Sequence, residues 1–363
     1  MNSFGRIFRV NIFGESHGES AGINIDGCPA GLSLSVEDFL EDIERRKGGT
    51  QKGTTPRKED DLPIFKSGVF NGKTTGAPIT ILFENKNTRS GDYEKQRAVP
   101  RPGHADFVAH AKFGGYEDFR GGGHFSGRLT VCLVAAGVIA KKLLGQLDLS
   151  PGPSPKERGA SQVSDFGEGL GEVQLKHNGI KVTATILEIG GETDLDKGLQ
   201  KAIDNKDSIG GIVECSTNGL PVGLGEPFFD SVESVISHAV FAIPAIRGVE
   251  FGTGFAAARM FGVDHNDAIE DKTGRTKTNH AGGVVGGITN GNELVFRIAV
   301  KPTSSTPKEQ QTLNWETGTV ESFSVKGRHD LCIALRVPVV LEAVTALVLV
   351  DLLMLEHHIK RIL

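Results

Sequence analysis

A chain of 363 residues with 40 Lys and Arg against 45 Asp and Glu carries a formal net charge of −5. Its 38% hydrophobic and 23% charged content suits a packed globular protein and excludes a disordered chain. Residues 1–130 hold about 18 cationic against about 17 anionic side chains, so no basic half lies beneath the total and a nucleic-acid role has no footing.

In chain order, a helix is predicted from Ser35, with Asp38 three residues on in a capping-box pattern, to about Arg46. A strand-like run around Thr80–Phe83 comes next, then an Ala/Leu/Val-rich helix over 129–145. Ser150–Ser161, with Pro151, Pro153 and Pro155, reads as a surface excursion. Strand patterns at Lys181–Leu187 and Ile212–Cys215, a helix over 231–242, a strand at Leu294–Val300 and a helix over 338–362 complete the series. Strands and helices do not alternate as a doubly wound sheet requires, and neither a GxGxxG after a strand nor a GxxxxGK[ST] occurs. No repeat of 20–50 residues is present. The expected fold is α+β, with helices packed between largely antiparallel sheets, in a single large domain spanning 1–363.

The most apolar stretch, 337–355, contains Glu342 and Asp351, which would be costly in lipid. It is expected to be a buried or interface helix, with no membrane partner. The N-terminal MNSFGRIFRV lacks the apolar core of a signal peptide, and Cys28, Cys132, Cys215 and Cys332 form no CxxC pair. Reduced structural thiols, no metal site and a cytoplasmic location are expected.

Glycine is the compositional outlier, at 48 of 363 residues. It clusters beside chemistry-bearing side chains, where backbone must approach a ligand. Gly14-Glu-Ser16-His17-Gly18 presents an imidazole that can exchange protons near neutral pH, although a turn histidine bonded to a carbonyl fits the same residues. In Arg101-Pro-Gly-His104-Ala-Asp106 the Pro-Gly turn lets Arg101 and His104 point the same way, if it is more than a surface turn. Arg120-Gly-Gly-Gly-His124-Phe125-Ser126-Gly-Arg128 runs into a helix, a setting suited to anions, with Arg120 and Arg128 as reinforcement. The pairs Gly282–Gly283 and Gly286–Gly287 allow a flat ring or a second backbone to pack closely, or simply tighten a hairpin. Lys301-Pro302-Thr303-Ser304-Ser305 offers a cation and three hydroxyls to a phosphate. Gly327-Arg328-His329-Asp330 is either a site or a local ion pair, and Arg45-Arg46-Lys47-Gly-Gly-Thr-Gln-Lys52 either stabilises a helix end or forms a cationic lid.

In this order and at these separations, GESHG, RPGHAD, TNHAGG with its second glycine pair, KPTSS and GRHD make the chain resemble the chorismate synthase family from near residue 5 to near residue 355. The resemblance implies a lyase that converts 5-enolpyruvylshikimate 3-phosphate to chorismate and phosphate by anti-1,4-elimination, requiring reduced FMN without net redox change. It implies that His17 and His104 are the catalytic histidines, one assisting phosphate departure and the other serving the reduced flavin as proton donor. Ser16 and Asp330 are implied as a proton relay at flavin N5. Arg46, Lys52, Arg101, Arg128 and Arg328 are implied as cations for substrate and flavin anions. The FMN seat is expected from His124, Phe125, Ser126, Pro244, Ala245, Gly286, Lys301, Pro302, Thr303, Ser304, Ser305 and Arg328. A homotetramer is expected, with NADPH or, preferably, an external flavin reductase as the source of electrons.

One loop departs from the family pattern: His124 stands where an arginine is usual and Leu129 where an acid is usual. That loop motivates the rival reading of a non-catalytic flavin- or phosphometabolite-binding protein. A phosphate-ester hydrolase built on His17 would leave the glycine pairs and Asp330 without a role.

Overall fold

The computed structural model describes residues 2–49, 51–55, 59–86, 97–147, 179–325 and 329–359. Two antiparallel sheets enclose a helical layer. The first joins β1 (Ser3–Phe4), β2 (Arg9–Gly14), β3 (Ser20–Asp26), β4 (Ile64–Ser67) and β7 (Ile79–Glu84) in the order β1-β2-β3-β7-β4, with the small hairpin β5 (Val69–Phe70) and β6 (Lys73–Thr74) beside it. The second has the order β10 (Ile246–Phe251), β13 (Leu294–Val300), β9 (Gly211–Asn218), β8 (Lys181–Ile189). The hairpins β11–β12 (Val284–Val285, Ile288–Thr289) and β14–β15 (Gln310–Asn314, Thr319–Phe323) project from this frame. Period-two burial sets which face turns inward: Ile79, Ile81 and Phe83 from β7, and Leu294, Phe296, Ile298 and Val300 from β13, are all buried.

Helices α1 (Glu37–Arg46), α2 (Asp106–Phe113), α3 (Thr130–Gly145), α4 (Leu195–Asn205), α5 (Val232–Val240), the one-turn α6 (Gly262–His265) and α7 (Val337–Leu355) complete the order. α3 and α7 are apolar all round and therefore need cover on every side. They pack on each other, α3 against β2, β3 and β7, and α7 against β8 and β9. A Cβ on Gly137 would stand 2.2 Å from that of Ala343, so glycine sets the approach of the two axes. Alanine there would cost about 1–3 kcal/mol by overpacking.

Helix α7 and the turn before it are long and apolar enough to span a membrane, yet 94% of the most apolar window is buried inside the protein. Its two acids are satisfied there. Glu342 accepts two 2.7 Å hydrogen bonds from Arg45 and one of 3.1 Å from the Ala184 amide. Asp351 accepts from the amides of Arg6, Ile7 and Phe8 at 2.7–2.9 Å, stitching the N-terminal segment to the last helix.

The α+β arrangement with helices between antiparallel sheets is as expected. Half of the capping box forms: Asp38 accepts from the Ser35 amide at 2.8 Å. The last helix ends at Leu355 rather than 362, because His357 takes a left-handed φ of 60°, which no helix continues. Strands β2, β3, β14 and β15 and helices α2 and α4 were not anticipated. The Ser150–Ser161 excursion lies outside the described residues. All four cysteines are free and buried, and burial pushes the thiols of Cys28, Cys132 and Cys215 up to about 12.

Candidate active site

A cavity of about 850 Å³ lies where the turn after β2, the glycine-rich segment before α3, the 301–305 run and the residues leading into α7 converge. That volume suits a small-molecule site. Ser16, His17, Arg46, Arg101, His104, His124, Phe125, Ser126, Arg128, Pro244, Ala245, Lys301, Thr303, Ser304, Ser305 and Asp330 all line it. Segments up to three hundred residues apart in sequence therefore meet at one wall.

The Pro102–Gly103 turn aims Arg101 and His104 at one carboxylate, as the spacing predicts. Asp106, in the first turn of α2, accepts from Arg101 Nε at 2.7 Å and Nη2 at 2.8 Å, and lies 2.5 Å from His104 Nδ1. Burial opposes the charge on Asp106, but hydrogen bonds from Arg101 and His104 prevail and hold it well below the usual carboxylate range. An ionised carboxylate only accepts, so His104 Nδ1 carries the proton and Nε2 is left to face other groups. Arg101 Nη1 also donates to Ser305 at 3.3 Å, joining this cluster to the 301–305 run. There, Lys301 Nζ donates to Ser304 Oγ at 2.7 Å, and Ser304 donates to the Gly103 carbonyl at 2.7 Å. Burial, and then the charge of Arg247, lowers the pKa of Lys301.

Gly121, Gly122 and Gly123 all have positive φ, and here the requirement for glycine is also steric. A Cβ on Gly121 would stand 2.5 Å from His17 Cδ2 and 2.6 Å from its Nε2; one on Gly122 would stand 3.0 Å from His104 Cε1. The glycine run thus lets the backbone pass against both imidazoles. The Ser16 amide donates to the Gly123 carbonyl at 3.1 Å, fixing the GESHG turn to the run. His124 adds a second tie: its Nδ1 donates to the Gly14 carbonyl at 2.8 Å. The unusual residue of this loop therefore holds the catalytic-type turn in place.

Two buried arginines, Arg46 and Arg128, share Asp61. Arg46 Nη1 donates to its Oδ2 at 2.9 Å, and Arg128 Nη1 pairs with Oδ1. Burial, despite Asp61, lowers the pKa of Arg46 to about 9. Asp330 accepts from the Thr55 amide at 2.9 Å and from Arg336 Nη2 at 2.5 Å. It makes no hydrogen bond to Ser16, whose Oγ is buried without a partner among the described residues. Thr303 Oγ1, His329 Nε2 and Arg336 Nε are also buried and without a partner among the described residues, and all four residues line the cavity. Burial, then the charge of Arg101, lowers the pKa of His329.

Some expectations are placed elsewhere. Lys52 donates to Gln200 at 3.3 Å on the surface, Gly286 forms the open turn of the β11–β12 hairpin, and the Pro302 ring packs beside Gly210; none lines the cavity. Arg120 is held by Asp118 through two 2.8 Å bonds and does not reinforce an anion site. Arg45 and Arg46 form no cationic lid, since the first is bound to Glu342 and the second is buried. Arg328 lies outside the described residues. Sequence reading missed Asp61, Asp106, His329 and Arg336 as site residues. Asp106 and His329 stood inside segments already singled out; Asp61 and Arg336 carried no local signal.

A family model described as chorismate synthase matches residues 8–354. A chorismate synthase of Chitinophaga pinensis is 67% identical over 362 residues, covering 100% of this chain and 99% of that protein. One from Methanocaldococcus jannaschii is 42% identical over 364 residues, covering 97% and 96%. A crystal structure of chorismate synthase superposes with a TM-score of 0.68 at 25% identity, covering 97% of this chain and 93% of the other.

Proposed function

The chain belongs to the chorismate synthase family, and from that premise we propose how its cavity carries the family's reaction. The protein is a lyase that converts 5-enolpyruvylshikimate 3-phosphate to chorismate and phosphate by anti-1,4-elimination, the last common step toward the aromatic amino acids. The observation that carries the mechanism is the meeting of His17 and His104 with Arg46, Arg101, Arg128, Lys301 and a glycine-rich wall in one cavity.

The residues fit a flat phosphorylated cofactor beside a phosphorylated substrate. Four buried polar atoms in the wall lack partners among the described residues, and the glycine run adds no side chain to the wall where it passes both histidines. Reduced FMN, when bound, supplies the electron-rich ring on which the elimination depends, with no net redox change. Lys301, Thr303, Ser304 and Ser305 would hold its phosphate, with Pro244, Ala245, His124, Phe125 and Ser126 as the remaining wall. Arg46, Arg101 and Arg128 bind the anionic groups of the substrate. His104, oriented through Nδ1 by Asp106, presents Nε2 to the departing phosphate and, in its imidazolium form, donates the Nε2 proton there. His17, pressed against Gly121, would hold a proton for the reduced flavin. Asp330, held by the Thr55 amide and Arg336, would with Ser16 relay the proton at the reduced flavin.

The non-catalytic alternative rested on the altered 124–130 loop. His124 there makes a bond that supports the GESHG turn, and the tie is compatible with a working site. We take 1–363 as one catalytic domain, because α3, lying on the first sheet, packs directly on α7, lying on the second. A homotetramer is the assembly we propose, and exposed aromatic side chains such as Phe228, Phe229, Phe255 and Phe261 would find cover at its interfaces. The cytoplasm is the location that fits a soluble biosynthetic enzyme, and an external reductase the electron source that fits a chain with no dinucleotide fingerprint.

Anaerobic incubation of the protein with the phosphorylated ester, with and without chemically reduced FMN, tests this reading. Chorismate is expected only when reduced flavin is present. Phosphate release without flavin would point to a hydrolase, and tight flavin binding without turnover to a binding protein.

A further inference from the structure

Asp61 stands apart from every residue assigned above. Its side chain is 1% exposed, its φ of 51° is left-handed for a residue with a Cβ, and both carboxylate oxygens are spent on guanidinium groups. A strained backbone position held in a buried site is a mark of function. The two arginines it joins come from different elements: Arg46 ends α1, and Arg128 stands just before α3.

We propose that Asp61 is a positioning residue that holds Arg46 and Arg128 side by side and leaves one positive charge of the pair for an anionic group of the substrate. The remaining contacts fix the planes of both guanidinium groups. Arg46 Nε donates to Thr130 Oγ1 at 3.1 Å and its Nη2 to the carbonyls of Gly127 and Arg128. Arg128 Nε donates to Asn85 Oδ1 at 2.9 Å and its Nη2 to the Glu84 carbonyl. These acceptors are neutral, so Asp61 is the one carboxylate hydrogen-bonded to either arginine among the described residues. Leu129, between Arg128 and Thr130, is buried and brings no second acid. Each Nη1 donates once, to Asp61, which leaves an N–H of each arginine without a protein acceptor among the described residues. Two guanidinium groups facing one carboxylate are short of one negative charge, and a ligand anion in the adjoining cavity supplies it.

This proposal rests on the reading of Arg46 and Arg128 as substrate-binding groups. Its test compares Asp61→Ala, Asp61→Glu, Arg46→Lys and Arg128→Lys in the full chain with saturating reduced FMN. Asp61→Ala is expected to raise KM for the phosphorylated ester by about tenfold to a hundredfold with a smaller change in kcat. Added formate, a carboxylate small enough for the vacated space, is expected to restore part of that loss, which a merely structural role would not allow. Asp61→Glu keeps the charge but displaces both guanidinium groups, so its KM is also expected to rise; together with Arg46→Lys and Arg128→Lys it decides the matter if the alanine variant does not fold. Wild-type KM in folded Asp61 variants, with raised KM in the arginine variants, overturns the positioning role alone. Wild-type KM in all four removes the arginine reading as well.

Discussion

His104 Nδ1 and Asp106 Oδ1 stand 2.5 Å apart, and the same carboxylate receives Nε and Nη2 of Arg101. One aspartate in the first turn of α2 therefore orients both an imidazole and a guanidinium that line the cavity. The arrangement fixes the histidine tautomer and leaves Nε2 for chemistry.

Asp106→Asn keeps the shape of the side chain and removes its charge. An amide presents a donor or a weaker acceptor to His104 Nδ1, so the tautomer is no longer fixed. Turnover is expected to fall by about 10²–10⁴-fold, the range associated with a positioned acid or base. Steady-state chorismate formation at saturating substrate measures it, and an unchanged kcat would leave Asp106 with no part in the reaction.

Gly121→Ala and Gly122→Ala probe the wall behind the histidines. Each adds a Cβ at a left-handed φ, 2.5 Å from the His17 ring in the first case and 3.0 Å from the His104 ring in the second. Displacing either ring by a fraction of an ångström to about 1 Å is expected to lower kcat by about tenfold to a hundredfold. Gly72→Ala is the comparison, since it has the same sign of φ but open space around it. Equal activity losses in all three variants would mean that backbone strain, not contact with the histidines, is responsible.

Much of this was legible in the sequence because the chemistry is concentrated in short segments. RPGHAD carries its own geometry: proline and glycine fix a turn, and Arg101, His104 and Asp106, two to five residues apart, converge on it. The α+β frame was equally readable, because strand-like runs such as β7 and β13 and the helical segments do not alternate as a doubly wound sheet requires. Asp61 was not, because its partners lie 15 and 67 residues away and nothing local distinguishes it from its neighbours Glu59 and Asp60. Lys52 misled in the opposite way. A cation after two glycines suggests reach into a site, yet its register on the loop turns it toward Gln200. The polar strands β14 and β15 escaped notice because they pair with each other away from the core and lack an apolar alternation.

His329 gives the protein a pH dependence of known sign. Its pKa is lowered from 6.5, chiefly by burial and then by Arg101, so the folded protein resists protonating it where the unfolded chain accepts the proton. The stability tied to the neutral ring is present above about pH 6.5 and is lost as the pH falls through the lower folded value. Thermal midpoints measured from about pH 7 down to about pH 5 should decline for the wild type and decline less for His329→Gln. Parallel curves for the two proteins would show that other groups set the slope.

The central claim is that elimination takes place in the cavity that His17 and His104 share. Chorismate formation by wild type, His17→Ala and His104→Ala, each supplied anaerobically with excess reduced FMN and shown by circular dichroism to be folded, tests it most directly. Turnover is expected to drop by at least about a hundredfold in each variant, with the fold intact. Wild-type turnover in both folded variants would contradict the account.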